Sequence, residues 1–336
     1  MPNDLNGSTV VVVGGAGLIG SHIADQLLDE GVREVRVFDS LIRGNRENLS
    51  SALTDPRCRL IVGDIRDRAA VRRAMAGCDF ACHQAAIRIT LCASQPQDCL
   101  DVLVGGTFNV FEAAAAENVK KVVYASSASV YGAAEVFPTD ERHHPYGNRT
   151  LYGAAKLMDE GIAKHFRDMN DLASVGLRYF NVYGPRMDVT GAYTEVFIRW
   201  LDCAENGVRP QIHGDGSASM DLVYVGDVAR ANILALKSDR TDDVYNIASG
   251  IETSLLDLWH GIRTVAGADR VHPEFHPPRK VNAVPRRLAD VRRARDEIGF
   301  VAETPLADGL REFAAWRANP NPCELAVARP FFQPSE

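Results

Sequence analysis

At 336 residues the chain is long enough for one large α/β unit and a smaller lobe. Its 46% hydrophobic and 24% charged residues exclude a disordered or fibrous chain. A formal net charge of −7 argues against a general nucleic-acid-binding surface. Seven cysteines are scattered without a CxxC pair, so neither a metal site nor a disulfide framework is expected, and the odd count fits a reduced, cytoplasmic setting. The N-terminal MPNDLNG has no signal-peptide core, and no apolar run approaches the roughly 20 residues of a membrane helix, so no membrane partner is expected.

Taken in chain order, Thr9 to Val13 are all β-branched and read as a strand buried on both faces. Gly14, Gly17 and Gly20 follow, and an amphipathic helix runs from Leu18 to Leu28. Strand, glycine turn and helix form a phosphate-binding site, because the backbone approaches the ligand and the helix N-terminus offers free N–H groups. Glu34 to Phe38 is a second strand ending in Asp39, about 20 residues on, where a dinucleotide fold places the acid that bonds the ribose hydroxyls. That carboxylate would repel a 2′-phosphate and favours NAD. Arg59 to Val62 is a third strand, Asp67 to Met75 a helix, and Ala81–Cys82 end a fourth strand that runs into His83-Gln84-Ala85-Ala86. Asp98 to Asn118 reads as one long helix and Lys121 to Ala125 as a fifth strand followed by Ser126 to Ser129. This rhythm predicts a doubly wound parallel sheet with ligands at the carboxyl ends of its strands.

Tyr152 and Lys156 lie four apart in LYGAAKLMDEGIAKHF, which places both on one helix face. A phenol ionises near pH 10 in water, and an ammonium one turn away favours its anion, so the pair suits proton abstraction.

GGAGLIG, FDS, GDIRD, HQAA, SSASVYG, YGAAK, RYFNVYGPR and HGDGSASMDLVYVGDVA together resemble the extended short-chain dehydrogenase/reductases, and within them the nucleotide-sugar epimerases and dehydratases. The resemblance covers roughly residues 9 to 310. It implies a Rossmann fold over 1–181, with 226–250 returning to it. It also implies a smaller C-terminal substrate-binding lobe over 182–225 and 251–318, and an irregular tail over 319–336. It implies NAD as cofactor, held at the pyrophosphate by Gly14, Gly17, Leu18 and Ile19. Asp39, with Ser40 and Gly44, takes the ribose, and Asp64 and Ile65 the adenine. Gln84, Ala85, Ala86, Arg88, Ala125 and Tyr179 complete that site. Tyr152 is the implied base, Lys156 bonds the nicotinamide ribose, and Ser127 bonds the sugar hydroxyl, with Ser126 as the neighbouring alternative. Phe180, Asn181, Tyr193, Gln211 and His213 are implied contacts of the sugar nucleotide. A homodimer through the helices 98–118 and 152–168 is also implied.

The family's dehydratases and decarboxylases usually carry an acid just before VYG, where this chain has Ser129. A 4,6-elimination needs an additional acid and base, so the absence favours a 4-epimerase. The family's usual diphosphate-clamping Arg is Met220 here, which leaves Arg279, Lys280, Arg286 or Arg287 to rebuild the clamp. Arg186 in NVYGPR could grip a sugar carboxylate through two hydrogen bonds, with Arg88 as a second cation. That makes UDP-glucuronate, epimerised to UDP-galacturonate, the expected substrate. UDP-glucose and UDP-N-acetylglucosamine are the alternatives, with a dehydratase or decarboxylase behind them. A non-catalytic NAD-binding scaffold or redox sensor is the remaining one, and Tyr152, Lys156 and Ser127 speak against it.

Overall fold

The computed structural model describes residues 3–189, 196–277 and 284–318. Its strands in chain order are β1 (Thr9–Val13), β2 (Glu34–Asp39), β3 (Cys58–Val62), β4 (Phe80–His83), β5 (Lys121–Ser127), β6 (Ala173–Tyr179), β7 (Asn181–Tyr183), β8 (Gln211–His213), β9 (Ser219–Tyr224), β10 (Asp243–Ile247), β11 (Glu252–Ser254) and β12 (Glu274–His276). Seven form one sheet in the order β10-β6-β5-β4-β1-β2-β3, every ladder parallel. The chain order reverses between β1 and β4, and the crevice outside the strand ends at such a switch point is where a doubly wound sheet binds ligands.

Alternation along β1 shows why its five residues are all apolar or β-branched. Val10 and Val12 enter a core on one face with Ile23, Leu27 and Val228. Val11 and Val13 enter the core of the other face with Phe111 and Phe166. Successive side chains of a strand point to opposite faces, so a central strand covered by helices on both must be apolar throughout. The first face carries α1 (Leu18–Asp29). The second carries α2 (Arg68–Met75), capped by Asp67, whose carboxylate accepts from the Ala69 and Ala70 amides.

A short helix, α3 (Ile89–Ser94), precedes the single helix expected over 98–118, which is three pieces: α4 (Pro96–Cys99), a π-helical segment Leu100–Gly106, and α5 (Thr107–Ala116). Gln95 leaves the helical region (φ −133°, ψ 73°), as a residue before proline is pushed to do. The run Pro96–Ala116 has 21 residues and contains an 18-residue stretch of mean hydropathy 1.3, long and apolar enough by composition to cross a membrane, which corrects the expectation that no run approaches that length. In the fold it is a core helix, with Leu103, Val110, Phe111, Ala113 and Ala114 buried.

The 20-residue α6 (Leu151–Asn170) follows β5, and its start is fixed by the Thr150 hydroxyl accepting from the Gly153 amide. Beyond β6 the chain builds a three-stranded sheet, β11-β9-β7, and a two-stranded one, β12-β8. These pack with α7 (Val196–Glu205) and the C-terminal helix Leu306–Ala318 around a separate core of Tyr183, Phe197, Trp200, Trp259 and Phe313.

Candidate active site

A cleft of about 1380 Å³ opens at the carboxyl ends of the central strands, larger than the usual space for one small ligand. At one end lies the glycine turn. Gly14 has φ +76°, and a Cβ there would sit 2.4 Å from the Ala85 amide nitrogen; a Cβ on Gly20 would sit 2.4 Å from the Gly14 carbonyl oxygen. Only glycine lets α1 and the end of β4 close on this turn. Gly17 caps α1 with no side-chain hydrogen bond, so the helix presents its free N–H groups and positive dipole end to the cleft. This cradle fits a dinucleotide pyrophosphate.

The nearly buried Asp39 carboxylate accepts from the Ala16 amide at 2.9 Å and the Leu41 amide at 2.8 Å. It therefore organises the turn as well as facing the cleft. Ser40, Gly44, Asp64, Ile65, Ala85, Ala86 and Arg88 also line the cleft. The Arg66 guanidinium, 2.6 Å from Asp64, holds that carboxyl below its usual range. Gln84 and Tyr179 line the cleft but spend their polar ends on each other and on Asn232, at 2.9 to 3.1 Å.

At the ends of β5 and α6 the cleft meets Ser127, Ser129 and Tyr152. The Ser127 hydroxyl accepts from the Ser129 amide at 3.1 Å. Tyr152 stands in the first turn of α6, where the helix dipole adds positive potential. Lys156 does not reach the cleft wall. Its ammonium is buried, donating to the Ala125 carbonyl at 2.8 Å and to Asp159 at 3.1 Å. Burial opposes that charge, but the Asp159 carboxylate outweighs it and raises the Lys156 pKa, so a fixed cation sits within electrostatic reach of Tyr152. Ala125 thus serves Lys156 through its carbonyl and is not part of the cleft lining. Beneath them, burial and then the Lys156 charge push the His83 imidazole down to about 3, leaving it neutral, with Nε2 2.9 Å from the Thr107 hydroxyl.

Two expected substrate contacts are corrected. Ser126 is buried and donates to Glu160 at 2.6 Å, so of the adjacent pair only Ser127 faces the cleft. Arg186 lines the cleft, but its Nη2 is paired with Asp25 of α1 at 2.7 Å, so its charge is already met within the fold. Arg88 is likewise paired, with Asp188 at 3.1 Å. Phe180, Asn181, Gln211 and His213 do line the cleft. His213 Nδ1 lies 3.0 Å from the Pro277 carbonyl, and Asn181 donates to the Asp221 carbonyl at 3.2 Å. Tyr193, Arg279 and Lys280 lie outside the described residues. Arg286 points away, to Glu252 at 2.8 Å and over the Phe137 ring, whereas Arg287 lines the cleft. Sequence reasoning missed Asp159 and Asp188, while Ser129, at the position before VYG, does face the cleft. Only Asp159 carried a signal, since i, i+3 spacing from Lys156 brings the two together on the helix.

Residues 10–248 match the model of the NAD-dependent epimerase/dehydratase family. A putative UDP-glucose 4-epimerase from Methanocaldococcus jannaschii is 33% identical over 315 residues, 93% of this chain and 99% of that one. Among solved structures, a UDP-N-acetylglucosamine 4-epimerase from Methanobrevibacter ruminantium, in complex with UDP-N-acetylmuramic acid, superposes with a TM-score of 0.88 at 32% identity, covering 94% of this chain and 99% of that one. A dTDP-glucose 4,6-dehydratase from Streptomyces venezuelae with NAD bound reaches a TM-score of 0.83 at 28% identity, covering 92% and 96%.

Proposed function

The chain belongs to the NAD-dependent epimerase/dehydratase family, and on that footing we propose that it is a cytoplasmic 4-epimerase of a UDP-linked hexose. When bound, NAD supplies a hydride acceptor for C4 of the sugar and the hydride that returns to it. The chain's own residues do the rest. The glycine turn and the N-terminus of α1 hold the pyrophosphate, and Asp39 accepts from the adenosine ribose hydroxyls. Tyr152 takes the proton of the C4 hydroxyl and gives it back, while the Ser127 hydroxyl orients that same group. Buried Lys156 keeps positive charge behind the phenol throughout.

One observation carries epimerase over dehydratase. Ser127 and Ser129 stand beside Tyr152 at the end of β5, and neither offers the carboxyl that a 4,6-elimination needs to expel water. The test is incubation of the purified protein with UDP-, dTDP- and GDP-hexoses, with products resolved by NMR. A C4 epimer is the expected product, and NAD should be found in the supernatant of the denatured protein. A 6-deoxy-4-keto sugar, or release of only NADP, would overturn the reading.

We also read the protein as a homodimer. Leu100, Phe108, Leu157 and Met158 stay exposed on the run 96–116 and on α6, and apolar side chains grouped on two helices suit an interface with a second copy. Light scattering at micromolar concentration should give twice the chain mass; a monomer there would refute it.

A further inference from the structure

Of the arginines lining the cleft, Arg66, Arg88 and Arg186 each rest on a carboxylate, Asp64, Asp188 and Asp25 respectively, at 2.6 to 3.1 Å. Arg287 differs. Among the described residues its guanidinium has no hydrogen-bond or ion-pair partner, and the ionisable group its charge acts on is Tyr152. Its backbone is fixed, the amide donating to the Ser219 carbonyl at 3.1 Å, beside cleft-lining Met220. Its neighbours Ala128 and Phe180 are at the carboxyl ends of β5 and β6, next to Ser127. Arg287 is partly buried in the wall of the cleft, and a guanidinium placed there without a protein counter-charge is available to an anion brought by the ligand. Because Tyr152 works at the sugar, the anion that Arg287 meets belongs to the sugar end of the substrate.

We infer that Arg287 is a specificity-determining residue that grips a carboxylate on the hexose, so that the substrate is an acidic nucleotide sugar rather than a neutral one. The inference rests on the nucleotide-sugar reading above. It transfers the task of carboxylate recognition from Arg186, which Asp25 neutralises, to Arg287, which has no counter-charge among the described residues. The planar fork of arginine suits a bidentate carboxylate contact.

The test uses the NAD-loaded protein and calorimetric titration with UDP-glucuronate, UDP-glucose and UDP, for wild type, Arg287→Gln and Arg287→Leu. Wild type should bind UDP-glucuronate more tightly than UDP-glucose. Both variants should cut that ratio by about 10- to 100-fold, the range expected for hydrogen bonds to a charged group. The ratio is taken within one preparation, so partial loss of folded protein cancels. If UDP and UDP-glucuronate lose affinity by the same factor, Arg287 holds the diphosphate and the inference is wrong. It is also wrong if wild type prefers the neutral sugar. Binding needs no turnover, so a collapsed ratio with no C4 epimer formed would overturn the epimerase reading and leave this one standing.

Discussion

Replacing Tyr152 with Phe should abolish turnover while the protein keeps its fold and its NAD. The ring of Tyr152 lines the cleft beside Ser127, in the first turn of α6, and Phe preserves that ring. What is lost is the phenolic oxygen that Lys156, Arg287 and the helix dipole jointly address. Positioned acid–base groups contribute about 10²- to 10⁴-fold to rate, so kcat should fall by that factor with the NAD content unchanged. Steady-state kinetics on the epimerised sugar decides it. If the variant keeps more than about a tenth of the wild-type kcat, a loss under about 1.4 kcal/mol of barrier, Tyr152 is not the base. If it loses NAD as well, the substitution has disturbed the cradle, and the kinetic result says nothing about proton transfer; Tyr152→Phe reloaded with NAD then supplies the measurement.

The fold was legible in the sequence where one periodicity had one cause. β1 is apolar from Val10 to Val13 because both of its faces are covered, and the glycines after it are needed because Gly14 and Gly20 touch backbone. The site was legible only up to questions of phase and distant partners. Ser126 and Ser127 are chemically alike, and which one faces the ligand depends on the alternation of β5, in which Tyr124 and Ser126 turn toward the buried helix side. Arg286 and Arg287 present the same ambiguity in an irregular segment. Arg186 had the right chemistry for a carboxylate, but Asp25, 161 positions earlier, already supplies one, and local sequence carries no record of that pairing. The break before Pro96 was readable from the proline, but not the π-helical turns that follow it, which bring Gly106 against Ile65.

The second large effect concerns what holds the reacting wall in place. Replacing Arg178 with Met should destabilise the protein by about 3–5 kcal/mol, the usual cost of leaving one partner of a buried ion pair alone. Arg178 on β6 and Glu160 on α6 are both nearly inaccessible and meet through two hydrogen bonds, at 2.7 and 2.8 Å. The same guanidinium donates to the Tyr131 hydroxyl and the Glu141 carbonyl, each at 2.9 Å, and lies over the Tyr131 ring. Glu160 in turn accepts from Ser126, the residue before Ser127. This network therefore ties α6, which carries Tyr152, to the end of β5, which carries Ser127, and removing Arg178 loosens both at once. Urea unfolding should show the full loss for Arg178→Met. The double variant Arg178→Met/Glu160→Leu should recover part of it, because the stranded carboxylate is gone. Its kcat should nevertheless stay below wild type, since the apolar pair no longer orders Ser126. A single variant within about 1 kcal/mol of wild type would mean that Glu160 finds another partner, and that the network does not set the geometry of the wall.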